Sequence, residues 1–238
     1  MTIEKNKKIV VLTGAGISAE SGLQTFRDKG GLWEKYDFQK LASIYGWQEN
    51  PALVLEFYNV RRDHVRQAQP NDAHLSLVGL EKKYEVVIIT QNVDNLHERA
   101  GSENILHLHG EIMKARSTQY PSLIYDLGDK NIEMGDCCEK GAQLRPHIVW
   151  FGEAVPMMDK AIEEAENADI FIVIGTSLQV YPAAGLINYV PHSAEKYIID
   201  KQIPPVSSIK NLNIIEKSAA EGTPQLVDLL LSKLKSEV

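Results

Sequence analysis

Short apolar runs separated by segments of helical periodicity dominate the pattern along this chain. Five runs are continuous and rich in β-branched residues, which predicts strands buried on both faces of a parallel sheet. They span residues 9–12, 86–90, 147–151, 170–174 and 196–200. A shorter run, Ile105 to His109, alternates apolar and polar residues. Because helical segments separate the runs, the pattern predicts an α/β fold, a doubly wound parallel sheet.

Glycines or polar side chains follow the carboxyl ends of these runs, which is where doubly wound sheets bind ligands. They begin at Gly14, Gln91, His109, Gly152 and Gly175. Because these ends meet at one edge of the predicted sheet, we expect a single site there. The first motif, GAG, lets backbone N–H groups approach an anion at the start of a helix. It therefore predicts a dinucleotide site.

Composition narrows the class of protein. A chain of 238 residues with 44% hydrophobic content can bury one large core, or a main domain with a small lobe. The net charge is -7 and no run of Lys and Arg exceeds two, which argues against nucleic acid as the main partner. A signal pattern and an apolar run of membrane-spanning length are both missing, so we expect a cytoplasmic protein without a membrane partner. The adjacent pair Cys137 and Cys138 makes a disulfide framework improbable.

The motif GAGISAESGLQTFRDKGGLW closely resembles the cofactor-binding signature of the sirtuins, which are NAD-dependent protein-lysine deacylases. The motifs TQNVDNLHERAG, HLHGE, RPHIVWFGE and IGTSLQVYPAAGL follow in family order, so the resemblance extends from Lys8 to about Leu230. It implies one catalytic domain, residues 1–238, whose doubly wound (Rossmann-like) core takes in about residues 1–34, 70–112 and 145–238. A small second lobe would come from insertions at about residues 35–69 and 113–144.

The resemblance also implies roles for single residues. The general base would be the histidine before the glycine of HLHGE, His109, whereas His107 has no such match. Residues binding NAD would be Gly14, Ala15, Gly16, Glu20, Thr25, Phe26, Arg27, Trp33, Gln91, Asn92, Asp94, Gly175, Thr176, Ser177, Asp200 and Ala219. Residues binding the substrate would be Tyr58, Arg61, Phe151, Gly152, Val180 and Tyr181. From position alone, Asn92 or Asp94 could equally cap the helix that follows them.

Tyr58 and Arg61 are three residues apart on a helix that we expect to begin at Pro51, with Asn50 as its N-cap. Spacing alone is typical of a solvated arginine beside a half-buried tyrosine. The resemblance instead implies that the two residues line an acyl pocket like that of sirtuins that remove acidic acyl groups, such as succinyl, malonyl and glutaryl. There the guanidinium would hold the acyl carboxylate, and the phenol would add a hydrogen bond.

The predicted small lobe departs from the family pattern of four cysteines around a structural zinc ion. Ser117, Tyr120 and Gly135 stand at three of the four positions, and only Cys138 matches. We therefore expect no metal site and no structural zinc. Packing of apolar side chains would hold the lobe together, and the candidates are Tyr120, Leu123, Ile124, Tyr125 and Leu127.

The implied reaction consumes NAD and takes acyl-lysine proteins or peptides as substrates. The acyl oxygen attacks the ribose carbon that carries nicotinamide, His109 then removes a ribose hydroxyl proton, and water completes the release of lysine and O-acyl-ADP-ribose. Two alternatives stay open within the family resemblance, a mono-ADP-ribosyltransferase and a non-catalytic protein that binds NAD or ADP-ribose. An ordinary NAD oxidoreductase would need an acidic residue at the end of a second strand. Glu34 is the acidic residue at about the right distance, but it lies in a segment without a strand pattern.

Overall fold

The computed structural model describes residues 7–25, 37–204, 206 and 209–236. The predicted NAD-binding residues Phe26, Arg27 and Trp33 lie outside these ranges. The strands of the described residues are β1 (Lys8–Thr13), β2 (Glu85–Thr90), β3 (Ile105–His107), β4 (Gly110–Ser117), β5 (Ile124–Asp126), β6 (Leu144–Ile148), β7 (Ile170–Ile174), β8 (Glu195–Ile199) and β9 (Leu212–Ile215). Six of them form a parallel sheet in the order β3-β2-β1-β7-β8-β9. The predicted α/β, doubly wound sheet is confirmed.

The α-helices of the described residues are α1 (Phe38–Leu41), α2 (Ile44–Glu49), α3 (Pro51–Gln67), α4 (Asp72–Glu81), α5 (Leu96–Ala100), α6 (Met158–Glu166) and α7 (Ala219–Ser236). Two 3₁₀ helices, Ala15–Ser21 and Ala183–Asn188, complete the set. Asn50 caps α3 as predicted, since its side-chain oxygen accepts a hydrogen bond from the Leu53 N–H at 3.1 Å. None of the helices described here is long and apolar enough to span a bilayer.

Alternation along β1 shows why the sheet is covered on both faces. Ile9 and Val11 point to one face, where they pack in a core with residues of α4 and α7. Val10 and Leu12 point to the opposite face, toward α6 and the second 3₁₀ helix. The side chains of all four residues are fully buried. A strand that is apolar at every position is thus explained by helices on both sides of the sheet.

Four strands differ from the sequence prediction: β4 and β5 were not predicted, and β6 and β9 differ as follows. The run 147–151 is not a strand of the parallel sheet: β6 ends at Ile148 and pairs antiparallel with β4 in a second sheet of order β5-β4-β6. Its residues are apolar because Ile148 and Trp150 pack against α3 in a separate core. The short edge strand β9 was not predicted, and Ile214 on it is exposed, so no continuous buried pattern marks it.

Buried polar side chains of α3 form hydrogen bonds with the second sheet and with the loop that follows β5. The fully buried Arg62 donates from Nε to the Ile112 carbonyl at 2.7 Å and from Nη1 to Asn59 Oδ1 at 2.6 Å. Asn59 in turn exchanges hydrogen bonds with the backbone of Ile132, at 2.9 and 3.1 Å. The predicted insertions at about 35–69 and 113–144 therefore pack on each other. Their division from the core as one lobe stays a prediction.

The core of the second sheet differs from the predicted set. Among the five residues that were expected to hold the lobe, Leu127 alone is buried, whereas Tyr120 and Ile124 are exposed and Leu123 and Tyr125 are half-buried. Leu127 packs with Leu55, Ala115 and Ile132. The prediction failed because the lobe buries its apolar residues against α3, a partner that is distant in sequence.

Hydrogen bonds link the loops that carry Ser117 and Cys138. The buried Cys138 thiol lies 3.4 Å from the Ser117 hydroxyl. The Gln143 side chain donates to the carbonyls of Glu133 and Leu144, both at 3.0 Å, and accepts from the Gly135 N–H at 2.7 Å. These contacts give the loops partners that do not require a metal ion.

We predict that Gln143→Ala lowers the free energy of unfolding by roughly 1–3 kcal/mol, because three neutral hydrogen bonds are lost. Chelators should leave the melting temperature of the wild type unchanged, because we expect no stoichiometric zinc. Thermal denaturation and elemental analysis of the tag-free protein measure both effects. One zinc ion per chain, or a chelator effect larger than that of the Gln143 substitution, would contradict the prediction.

Candidate functional site

The carboxyl ends of β1 and β7 meet at the centre of the parallel sheet, where the strand order reverses and ligand crevices form. The Gly14 N–H donates to the Ile174 carbonyl at 3.0 Å, and the Gly16 N–H donates to the Gly175 carbonyl at 2.8 Å. A β-carbon on Gly175 would lie 2.4 Å from the Ile17 nitrogen, and this residue has a φ of +62°. Only glycine fits there, and the floor of the crevice is therefore backbone.

A cavity of about 580 Å³ opens above this crossing. It brings together His109, the six residues expected to bind substrate, and most of the described residues expected to bind NAD. Those NAD-binding candidates that line it are Gly14, Ala15, Gly16, Glu20, Thr25, Gln91, Asn92, Gly175, Thr176, Ser177, Asp200 and Ala219. A volume of this size suits a small-molecule site. Four of the predicted segments, at Gly14, Gln91, His109 and Gly175, thus meet at one edge of the parallel sheet, whereas Gly152 reaches the same cavity from the end of β6 in the second sheet.

Asp94 is not among the residues that line the cavity. Its carboxylate accepts hydrogen bonds from the Leu96 N–H at the start of α5 and from the Ser18 hydroxyl, both at 3.1 Å. Burial raises the pKa of Asp94, and these two hydrogen bonds oppose that rise. Asp94 thus accepts from the first N–H of α5, although the N-cap position itself is Asn95, and it holds the first 3₁₀ helix through Ser18.

Hydrogen bonds of Asn92 and Gln91 connect the end of β2 to the loops that contain Gly14 and Gly175. Asn92 Nδ2 donates to the Gly14 carbonyl at 3.0 Å and to Ser18 Oγ at 3.2 Å. Gln91 Nε2 donates to Thr176 Oγ1 at 3.2 Å. Ser18, buried between Asn92 and Asp94, was missed by the sequence analysis. Its place two residues after Gly16, on the 3₁₀ helix, was the available signal.

A second buried contact joins the ends of β1 and β2. Thr90 Oγ1 accepts hydrogen bonds from the Thr13 hydroxyl at 2.9 Å and from the Asn92 N–H at 3.0 Å. His97 on α5 lies 3.1 Å from Thr13 Oγ1 through Nε2, and burial lowers the pKa of His97 well below the usual range. The neutral imidazole thus completes the polar contacts behind Asn92.

His109 is oriented by the backbone of the neighbouring strand end. Its Nδ1 lies 2.9 Å from the Gln91 carbonyl oxygen. Because a carbonyl can only accept, Nδ1 carries the proton and Nε2 is the free acceptor. Burial lowers the pKa of His109, and the Gln91 carbonyl only partly opposes this shift. The residue is consequently a neutral base at neutral pH, and it lines the cavity.

His107 is placed differently from His109, although the two are only two residues apart. His107 Nε2 lies 2.6 Å from Glu98 Oε1, and His107 does not line the cavity. Burial lowers its pKa, but the adjacent Glu98 carboxylate outweighs this effect, and the net shift is upward. His107 is therefore a member of an ion pair and not a second base.

Tyr58 and Arg61 lie at the end of the cavity formed by α3. Tyr58 is buried, and its oxygen accepts a hydrogen bond from the indole N–H of Trp150 at 3.0 Å. Burial raises the pKa of Tyr58 to about 12. Arg61 is half-buried with its guanidinium 5.8 Å from the Phe57 ring centre, and burial lowers its pKa against the opposing charges of Tyr58 and Asp94. Trp150, which also lines the cavity, was not predicted as a site residue.

Comparison with known proteins gives a consistent result. The family model described as "Sir2 family" matches residues 14–182. An NAD-dependent protein deacylase of Bacteroides thetaiotaomicron is 52% identical over 230 residues, which cover 94% of this chain and 98% of that protein. An NAD-dependent protein deacylase of Helicobacter pylori strain J99 is 48% identical over 232 residues, covering 98% of this chain and 99% of that protein.

Solved structures agree with the sequence relatives. A Sir2 homologue in complex with NAD superposes with a TM-score of 0.86 and 38% identity, covering 98% of this chain and 93% of that chain. A Sir2 protein bound to acetylated peptide superposes with a TM-score of 0.80 and 30% identity, covering 94% of this chain and 93% of that chain.

We predict that His109 and His107 titrate on opposite sides of the ordinary histidine value of 6.5. Burial disfavours the imidazolium form of His109, whereas Glu98 stabilises that of His107. Nitrogen-resolved NMR of the histidine rings should show His109 as the Nδ1–H tautomer with a midpoint below this value. His109→Ala assigns the resonance, and an Nε2–H tautomer or a midpoint above this value would contradict the structure.

Proposed function

The chain belongs to the Sir2 family, the sirtuins, and we propose that it is an NAD-dependent protein-lysine deacylase that prefers acidic acyl groups. The observation that carries the proposal is one cavity shared by a neutral histidine base, a glycine crossing and the pair of Tyr58 and Arg61. Relatives of this chain carry the name NAD-dependent protein deacylase. NAD is the co-substrate of the family.

The residues of the cavity fit a dinucleotide along its length. Gly14 to Gly16 offer backbone at the first strand end, where the pyrophosphate would lie. Thr176 and Ser177 offer hydroxyls and Asp200 a carboxylate to the ribose and adenine end, where Ala219 also lines the wall. Gln91 and Asn92, which line the cavity with His109, would face the nicotinamide ribose.

Each step of the reaction makes a different demand on the chain. Bound NAD supplies a ribose carbon that accepts the acyl oxygen as nicotinamide departs. The crevice must hold the two substrates in line for that displacement, which is a matter of positioning. His109 Nε2 then takes a proton from a ribose hydroxyl, so that its oxygen can attack the acyl carbon. The neutral tautomer fixed by the Gln91 carbonyl is the form that this proton transfer needs.

The peptide part of the substrate would lie across the mouth of the cavity. Phe151 and Tyr181 are exposed at this mouth, with Gly152 and Val180 beside them. Backbone of the substrate would pair with these two segments as an added strand. The structure of a Sir2 protein bound to acetylated peptide supports a peptide as ligand.

Arg61 and Tyr58 support the choice of acyl group. A carboxylate at the tip of a succinyl, malonyl or glutaryl group can accept from both the guanidinium and the phenol. An acetyl group ends in a methyl and can form neither bond. Because Tyr58 is buried and Arg61 is half-buried, such a charge-assisted contact is stronger there than at a fully exposed surface.

We predict that His109→Ala lowers turnover by about 10²- to 10⁴-fold, the usual contribution of a general base. Mass spectrometry of peptide product and of released nicotinamide measures the effect. His107→Ala is the matched control, because that histidine is outside the cavity, and it should reduce turnover less. Near-normal turnover by folded His109→Ala would disprove the assigned role.

We predict that the wild type has a higher kcat/KM for succinyl-lysine than for acetyl-lysine peptides, and that Arg61→Met reverses this order. Loss of a charge-assisted contact costs about 2–5 kcal/mol for the acidic substrate. Tyr58→Phe should act in the same direction by roughly 0.5–1.5 kcal/mol.

Arg99→Met provides the control, since Arg99 is exposed and lies outside the cavity. It should change neither substrate's kcat/KM. A wild type that prefers acetyl-lysine, or an Arg61→Met variant that loses both activities equally, would show that the pocket assignment is wrong.

A further inference from the structure

We propose that Trp150 is a positioning residue for acyl selectivity, because its indole N–H holds the Tyr58 hydroxyl so that the phenol proton points into the acyl pocket. The inference rests on the proposed function, since it concerns the group that Tyr58 would contact. It adds a residue that touches neither the acyl carboxylate nor NAD in this proposal.

The contact between the two side chains is short and shielded from water. Trp150 Nε1 lies 3.0 Å from the Tyr58 oxygen. Trp150 is 2% exposed and Tyr58 is 4% exposed, so the hydrogen bond between them is shielded from bulk water. A buried hydrogen bond of this kind restricts both side chains to one arrangement.

The direction of the hydrogen bond follows from the chemistry of its partners. An indole N–H can only donate, so the phenol oxygen is the acceptor. The single hydrogen of the phenol must then point away from Trp150. Among the described residues the structure provides no acceptor for this hydrogen, and Tyr58 lines the cavity next to Arg61. The hydroxyl is thus left to donate to a ligand.

The protonation state of Tyr58 agrees with a donor role. Burial raises the pKa of Tyr58 to about 12, against the opposing effect of the Trp150 hydrogen bond. The phenol therefore keeps its proton throughout the neutral range. A phenol that also accepts a hydrogen bond is a better donor, because neighbouring hydrogen bonds polarise one another.

Trp150 is itself held on two sides. Its backbone N–H donates to Glu153 Oε2 at 2.7 Å. The Arg145 guanidinium lies 3.3 Å from the centre of the indole ring and is bonded to the same carboxylate at 2.8 and 3.0 Å. Trp47 packs on the indole with ring centres 5.5 Å apart. The indole N–H consequently has one orientation available, and it faces Tyr58.

The consequence is selective for the acyl group. A succinyl carboxylate can accept the phenol hydrogen, and holding that hydrogen in place spares the ordering cost on binding. An acetyl group offers no acceptor at this depth. Loss of the indole N–H should therefore weaken the acidic substrate alone.

The test compares Trp150→Phe, Tyr58→Phe and the double variant on succinyl- and acetyl-lysine peptides. Trp150→Phe should lower kcat/KM for the succinyl peptide by about 2- to 10-fold, the range for one neutral hydrogen bond. The acetyl peptide should change less than about twofold. The double variant should be no worse than Tyr58→Phe, because both changes remove the same interaction.

Trp47→Phe is the packing control, since it removes a contact to the same indole without removing the hydrogen bond to Tyr58. It should not change the ratio of the two kcat/KM values. Equal losses on both peptides with Trp150→Phe, or additive losses in the double variant, would overturn the proposal. If Arg61→Met still reverses the preference while Trp150→Phe leaves it unchanged, the positioning role alone fails. If the wild type prefers acetyl-lysine, both proposals fail.

A measurement on the folded wild type avoids dependence on the Trp150 variant. The three tryptophans of the chain give separate indole N–H signals in a ¹⁵N-correlated NMR spectrum. The Trp150 signal should shift in Tyr58→Phe, and because Trp150 lines the cavity it should shift more on binding of a succinyl-lysine peptide than of an acetyl-lysine peptide. An unchanged Trp150 signal in Tyr58→Phe would overturn the proposal.

Discussion

The close crossing of backbone at the ends of β1 and β7 is the constraint on which the site depends. The chain leaves β1 toward one face of the sheet and leaves β7 toward the other, which opens a crevice between the two loops. The loops nevertheless touch: a β-carbon on Gly14 would lie 2.6 Å from the Thr176 β-carbon. Glycine at these positions lets the two strands pair up to their ends. It also leaves backbone groups, not side chains, at the floor of the cavity.

Buried hydrogen bonds then place the end of β2 relative to this crossing. Asn92 reaches the Gly14 carbonyl, and Thr13 reaches Thr90 across the sheet. Groups that are buried and hydrogen-bonded have few alternative arrangements, since breaking one bond leaves a polar atom unsatisfied. This matters for chemistry because the Gln91 carbonyl selects the tautomer of His109. The ring of His109, the proposed base, is thus positioned by contacts that begin at the glycine loop.

Helix α3 connects the site to the second sheet. Arg62 and Asn59 turn toward that sheet, while Tyr58 and Arg61 turn toward the cavity. Burial lowers the pKa of Arg62 to about 10, and its hydrogen bond to the Ile112 carbonyl compensates part of the desolvation cost. The two residues proposed to select the acyl group are therefore carried by a helix that packs against the second sheet.

The local pattern of residues along the chain was sufficient to predict several strands, a helix end and the motifs at the site. Continuous β-branched runs predicted β1, β2 and β7, because a strand buried on both faces cannot carry polar residues. Asn50 marked the start of α3 because capping is satisfied within one turn. Motifs after strand ends identified His109 and the glycine loop.

Only the tertiary structure decided which sheet β6 joins, that Asp94 lies behind the cavity, and that Trp150 reaches Tyr58. Those outcomes depend on partners far away in the chain, and an apolar run or a carboxylate carries no local record of the partner it will meet.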